Sequence, residues 1–291
     1  MTEQRTGVIA KRRPGGVAVV IATLAGVLSN PPAPAAAAQR PAGSAESARP
    51  GSQGRGVVLL PNGWKIAPAG RHLPVGDLPL ALLESADGRY VIVTNNGYAE
   101  PTLTVVDVER FLVKSRLPRD HAWLGLTWGK DRQRLYSSGA GANTVDELTF
   151  SAGTLTAGRT FQLARPAPES FVGGVAVSPD GRRLYAVQVL GQRLSVLDLD
   201  TGGVLRTVEL AAEPYTSLLS ADGNVLFVSL WGGAKVLLFD AHSLEPRGEI
   251  VVGEHPNAMA LTPDGSRLFV ACANTNAVWV GTWPRAPPAS R

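Results

Sequence analysis

The sequence predicts an all-β fold of repeated four-stranded sheets, and three observations predict it. The first is a ten-residue pattern that recurs. "SPDGRRLYAV" (Ser178–Val187) returns as "SADGNVLFVS" (Ser220–Ser229), "TPDGSRLFVA" (Thr262–Ala271) and "SADGRYVIVT" (Ser85–Thr94), with a worn copy in "GKDRQRLYSS" (Gly129–Ser138). The second is the period. The central aspartates Asp87, Asp131, Asp180, Asp222 and Asp264 stand 44, 49, 42 and 42 residues apart. The third is composition: 32 Gly and 22 Pro in 291 residues, with sparse aromatics, which suits short strands joined by tight turns.

Within a unit the elements follow one order. A short apolar segment with small residues comes first, as in "GGVAVSP" or "NAMALTP". An Asp-Gly turn follows, because Gly tolerates the positive φ of a tight hairpin. An aromatic and β-branched strand such as "LYAV" comes next, then a polar loop. The third strand ends in Asp: Asp107, Asp198 and Asp240, and less clearly Asp146. A fourth strand, such as "GVLRTVEL", closes the unit. Four strands in about 42 residues is the period of a β-propeller blade. Helical periodicity is absent, and leucine-rich and ankyrin repeats have shorter periods.

The ends read differently. Lys11, Arg12 and Arg13 precede an apolar run ending at Leu28, and "APAAAAQ" follows. A positive start, a short apolar core and a small-residue end predict a secretory signal peptide over residues 1–38, so the protein is expected to be exported, periplasmic or extracellular. The run is short for a bilayer span, which takes about 20 residues, so no membrane span is expected after cleavage. Residues 39–56 are small, polar and rich in Pro and Gly, as in a disordered linker. The repeats are expected over 57–283, with a disordered tail at 284–291. Removing the leader takes away four of 28 Lys and Arg and one of 24 acids, which leaves a net charge near +1. No basic block of nucleic-acid-binding type remains. The single cysteine, Cys272, lies in "RLFVACAN". It forms no internal disulfide and reads as an inert buried thiol.

"YVIVTNNG", "VSPDGRRLYAV" and "LTPDGSRLFVACANTNAVWV" resemble the YVTN-type β-propeller repeat family, of the YncE-like kind, over about residues 57–280. "LPNGWKIAPAG" and "PYTSLLSADGNVLFVSLWGGAKVLLFD" are similar to a narrower group of exported proteins in which a propeller precedes a phosphoesterase domain. The resemblance implies a full ring of seven blades. This chain carries five anchors, has Thr282 where the fifth unit's third-strand aspartate would stand, and then runs into "PRAPPASR". The expectation is therefore about five blades of an incomplete seven-bladed ring, whose open edges would pair with another chain. The resemblance also implies a truncated propeller part of a propeller/phosphoesterase protein.

Strand one runs down to the Asp-Gly turn and strand two returns, so the strand two-to-three loops share an end with the links between blades. Sites collect on such loop-rich ends. Nine residues before each anchor stand Leu78, Ala122, Phe171, Glu213 and His255. Seven before stand Leu80, Leu124, Gly173, Tyr215 and Asn257. Pro79, Pro214 and Pro256 hold the register between them. Polar groups thus gather in units four and five, and the loops add Trp231 among others. The candidate ligand-binding residues are Glu213, Tyr215, Trp231, His255 and Asn257, at the channel mouth. No catalytic residue, metal ligand or cofactor is assigned, because H-E-x-x-H, G-x-S-x-G, the phosphate-binding loop and C-x-x-C-H are all missing. The recurrent aspartates are read as hairpin residues. The expected function is an exported binding or interaction module for a small ligand or a protein partner, without catalysis of its own. The alternative is a lactonase-like hydrolase using Glu213, His255 and Asn257.

Overall fold

The computed structural model describes residues 49–283 apart from Arg55, Pro68 and Pro166. The expected leader and tail lie outside the described residues. Two compact units divide the chain at Pro74 and Val75. The first holds a small antiparallel meander of β1 (Gly51–Ser52), β2 (Val58–Leu59) and β3 (Lys65–Ile66). Its β2–β3 turn is "LPNGW", where Trp64 N donates to Asn62 Oδ1 at 3.1 Å. A strand therefore stands inside the stretch expected as a linker.

The second unit is a β-propeller, with five meandering antiparallel blades among the described residues. Blade one is β4 (Pro79–Glu84), β5 (Tyr90–Asn95), β6 (Thr102–Asp107) and β7 (Leu112–Pro118). Blade two is β8 (Leu126–Trp128), β9 (Arg134–Ser138), β10 (Thr144–Ser151) and β11 (Thr154–Gln162). Blade three is β12 (Val172–Val177), β13 (Arg183–Gln188), β14 (Arg193–Asp198) and β15 (Val204–Glu209). Blade four is β16 (Pro214–Leu219), β17 (Val225–Leu230), β18 (Lys235–Asp240) and β19 (Pro246–Val251). Blade five has three strands, β20 (Pro256–Leu261), β21 (Leu268–Cys272) and β22 (Ala277–Gly281). Among the described residues the first and fifth blades share no strand pairing.

The recurrent aspartate is a hairpin device. Ser85 Oγ donates to Asp87 Oδ1 at 2.6 Å, and the same oxygen accepts Arg89 N at 3.1 Å. Tyr90 N in turn donates to Ser85 Oγ. Gly88 takes φ +68° between them. Ser178 with Asp180, Ser220 with Asp222, and Thr262 with Asp264 repeat the arrangement. The serine hydroxyl is the main cause that holds the Asp87, Asp180 and Asp222 carboxyls below the ordinary value. Blade two lacks the hydroxyl. There Asp131 accepts Gln133 N and Arg134 N, and Arg132 stands at φ +54° where the other blades have Gly.

Asp107, Asp198 and Asp240 end their third strands and accept amides of the next turn, from Arg110, Thr201 and Ser243 at 2.8–2.9 Å. Asp146 does something else. It lies inside β10, accepts Thr160 Oγ1 at 2.6 Å and pairs with Arg119. The blade-two hairpin turns later, at Ala152 and Gly153, both at positive φ. The longer β10 and β11 contribute to the 49-residue spacing.

Strand alternation gives each blade two apolar faces, and each seam between blades holds one core cluster. Ile92 and Val105 meet Leu135 and Leu148 across the first seam. Tyr136 meets Leu184 and Leu197 across the second, and Tyr185 meets Leu226 and Phe239 across the third. Phe227 and Val236 meet Leu268 and Val270 across the fourth. Burying each such side chain contributes about 1.5–3 kcal/mol, so no blade carries its faces alone. Nearer the axis the inner strands leave little room. A Cβ at Gly174 would lie 2.5 Å from Thr216 Cα.

Candidate functional site on the loop end

The inner strand of four blades opens with a β-bulge. Pairing resumes only after a shift between Pro79 and Ala81, Val172 and Val175, Pro214 and Ser217, and Pro256 and Met259. A bulge frees an amide and re-aims a side chain. The freed amide is captured from strand two in blades one and four, Ala81 N by Thr94 Oγ1 and Thr216 N by Ser229 Oγ, and Gly125 N just before the unbulged β8 is held likewise by Ser138 Oγ, all at 3.0–3.1 Å. Blade five has Ala271 in that place, and Asn257 Oδ1 accepts Ala258 N at 2.6 Å. Asn257 is 3% exposed. Its amide oxygen is thus committed to the backbone.

Tyr215 occupies the blade-four bulge, and its neighbours make the site. Trp231 follows β17 and begins a single 3₁₀ turn, Trp231–Gly233. The Tyr215 and Trp231 rings stack at 5.0 Å between centroids, 25° apart. The His255 ring lies 4.6 Å from Trp231, tilted by 40°. Together the three half-buried rings cross the seam of blades four and five. Burial pushes the Tyr215 phenol up. His255 takes φ +52°, as Leu78 takes φ +48° at the same place in blade one. Its carbonyl accepts Ala273 N, and its Nδ1 is buried without a hydrogen-bond partner.

Glu213 stands at the other side of this run. Its Oε1 accepts Gln192 Nε2 at 3.0 Å, a bond from the blade-three loop. A side chain at Gly232 would collide with the Glu213 carboxylate, so glycine there admits it. No hydrogen bond joins Glu213 to His255. The five candidates therefore divide: Tyr215, Trp231 and His255 share one ring run, Glu213 belongs to a clamp across the third seam, and Asn257 supports its own bulge. Gln192 is among the loop residues that the sequence places at this end and Gly232 is not, and only the fold brings either of them to Glu213.

Several loop asparagines have backbone duties. Asn143, Gln192 and Asn276 precede the third strand in left-handed conformation, as Ala234 does in blade four. Asn96 and Gly97 sit on Asp77, whose carbonyl accepts both amides. A second ring pair, Trp123 with Phe171 at 5.1 Å, marks the loop end between blades two and three. At the opposite end, a cavity of about 510 Å³ opens among turn residues including Trp128, Lys130 and Pro179. It includes none of the candidates. Among the described residues no three His, Cys, Asp or Glu side chains gather as a metal-binding cluster, and no helix is long and apolar enough to cross a membrane.

No protein-family model matches the chain. It is similar to "Antigen Lp49" of Leptospira interrogans, 27% identical over 110 residues, which covers 35% of this chain and 24% of that protein. It is 29% identical over 119 residues to "L-arabinolactonase" of Azospirillum brasilense, covering 38% and 39% of the two chains. It is also 29% identical over 133 residues to "Seven-bladed beta-propeller protein Rv1057" of Mycobacterium tuberculosis, covering 43% and 32%. The chain thus matches less than half the length of each of these relatives. Among solved structures, a functionally unknown protein of Desulfotomaculum acetoxidans superposes with a TM-score of 0.60 at 16% identity, over 70% of this chain and 68% of that one. A putative 6-phosphogluconolactonase of Bacteroides uniformis superposes with a TM-score of 0.59 at 17% identity, over 70% and 66%. Relatives and folds of this kind agree with the propeller described above.

Proposed function

We propose that this chain is an exported, YVTN-type propeller module that binds a ligand at its loop end and has no catalysis of its own. The observation that carries the reading is the run of Tyr215, Trp231 and His255 across the fourth seam. Half-buried aromatic rings offer a large, rigid contact area at low entropic cost. The ligand is read as a small molecule, or part of a partner, with a flat apolar surface beside a polar edge. Glu213, already held by Gln192, supplies that polar edge.

A lactonase-like hydrolase is the second reading. What supports it is the name of one relative and of one solved structure, together with the unpartnered Nδ1 of His255 beside Trp231. One experiment separates the two. The purified chain is titrated with sugar lactones and their open-chain acids while tryptophan fluorescence and acid release are both followed. Saturable fluorescence change without acid release above the spontaneous rate, lost in Trp231→Ala, supports the binding module. Turnover that disappears in Glu213→Ala or His255→Ala overturns it in favour of the hydrolase.

A further inference from the structure

The ring run of the fourth seam has a counterpart two seams back, and a polar clamp lies between them. Across the second seam Trp123, in the link entering blade two, meets Phe171, in the link entering blade three, edge to face at 5.1 Å. Across the third seam Gln192 holds Glu213. Across the fourth come Tyr215, Trp231 and His255. All of these residues are half-buried, and each stands at the loop end of its blade. Packed sheets lie about 10 Å apart, and blades three and four separate the second seam from the fourth. The two ring groups are therefore roughly 15–20 Å apart, further than one small ligand reaches.

Charge decides what kind of extended ligand fits. Each link between the described blades carries an acid: Asp120, Glu169, Glu213 and Glu254. The same links hold Arg119 and Arg165, and Arg119 is already paired with Asp146. The strand two-to-three loops of blades three and four, residues 189–192 and 231–234, carry no charge. A single-stranded nucleic acid would stack on rings, but it needs cations along its backbone. Gln192 occupies one oxygen of the Glu213 carboxylate and leaves the other to accept, so the clamp asks for a donor. A polyproline segment also stacks on rings, but its prolines have no N–H to give. A sugar ring supplies both needs: an apolar C–H face for an aromatic ring and hydroxyl donors at its edge. We propose that the loop end binds a linear, uncharged glycan of β-1,4-linked pyranose rings, lying across the second, third and fourth seams. Equatorial linkages keep such a chain extended, with C–H faces along its length. Its sugar rings cover the Trp231 run and the pair of Trp123 and Phe171, and hydroxyls between them donate to Glu213. Such a ligand presumes binding at the loop end, and adds a chemical class and a length to it.

Isothermal titration calorimetry of the full chain tests it, with cellohexaose and chitohexaose, their disaccharides, and an oligothymidylate. One hexasaccharide is expected to bind at least tenfold more tightly than its own disaccharide, and the oligothymidylate not at all. Phe171→Ala and Trp231→Ala are each expected to weaken the hexasaccharide roughly tenfold, with an unchanged β-sheet circular dichroism spectrum. Should Phe171→Ala fail to fold, Trp123→Ala takes its place, and the comparison of chain lengths needs no variant. Equal affinity for hexasaccharide and disaccharide, lost in Trp231→Ala alone, overturns the extended glycan and leaves the loop-end site standing. Hexasaccharide binding untouched by both variants places the site elsewhere and overturns the glycan track and the loop-end reading together. No saturable binding of either hexasaccharide, or tighter binding of the oligothymidylate, overturns the glycan as the ligand.

Discussion

At the turn end of the blades, one device serves four hairpins: a hydroxyl at Ser85, Ser178, Ser220 or Thr262 donates to the carboxylate two residues on. At the loop end, the equivalent positions of the same blades hold Leu78, Phe171, Glu213 and His255, and no two agree. Both ends must satisfy backbone at a chain reversal. The turn end does so with a local solution that each blade can reuse. The loop end meets the neighbouring blade, so each seam finds its own answer: Asn96 on the Ala122 carbonyl, Trp123 against Phe171, Gln192 on Glu213, Trp231 against His255. Uniformity marks what the fold requires, and variation marks where a function can be carried.

That contrast can be broken by substitutions that separate stability from binding. The largest effect is expected from Trp231→Ala. It removes the ring shared by Tyr215 and His255 and should weaken ligand binding roughly tenfold or more, with little change in Tm because Trp231 is only half-buried. A large fall in Tm with unchanged affinity would move Trp231 into the structural class. Asp222→Ala should show the reverse. It deletes the acceptor for Ser220 Oγ and Asn224 N, costing about 1 kcal/mol of unfolding free energy in urea, with ligand affinity unchanged.

Acid should act through the turn end. The carboxyl of Asp240 is drawn down to about 2, chiefly by the Ser243 amide, with Arg247 contributing. A carboxyl lowered on folding stabilises the protein above its unfolded value, near about 3.9. That contribution is lost as pH falls through the folded value. Thermal melts should therefore drop between about pH 4 and pH 2. Asp240→Asn should lie lower than wild type at neutral pH and fall less over that window. Parallel curves for the two proteins would assign the acid sensitivity elsewhere.

The same contrast explains which parts were legible in the sequence. The Asp-Gly hairpins, the blade period and the inner-strand register are local, so residue type and spacing reveal them. Pro79, Pro214 and Pro256 pointed to Tyr215, Asn257 and His255 because the bulge follows the proline at fixed distance. What the sequence hid is non-local. Asp146 resembled a strand-ending aspartate, yet its partners are Arg119 in the link from blade one and Thr160 on the next strand. Asn257 resembled a ligand residue, yet it replaces a hydroxyl that blade five lacks on β21. The pairing of Gln192 with Glu213 depends on how blades three and four stack, which no spacing records.

The smallest effect is expected where the turn device is worn. Arg132 holds φ +54° at the position of Gly88, Gly181, Gly223 and Gly265, all of which take φ between +63° and +76°. A left-handed conformation costs an ordinary residue about 1–2 kcal/mol. Glycine escapes that cost but loses more freedom on folding, about 0.5–1 kcal/mol. The difference favours Arg132→Gly, by a few tenths to about 1 kcal/mol. Its backbone bond to the Gly129 carbonyl is independent of side chain and should persist. Urea unfolding should accordingly place the Arg132→Gly midpoint slightly above wild type. A lower midpoint would mean that the Arg132 side chain contributes more than its backbone costs. Blade two would then be a turn that selection altered for a purpose, and the rule that the turn end is purely structural would fail at that blade.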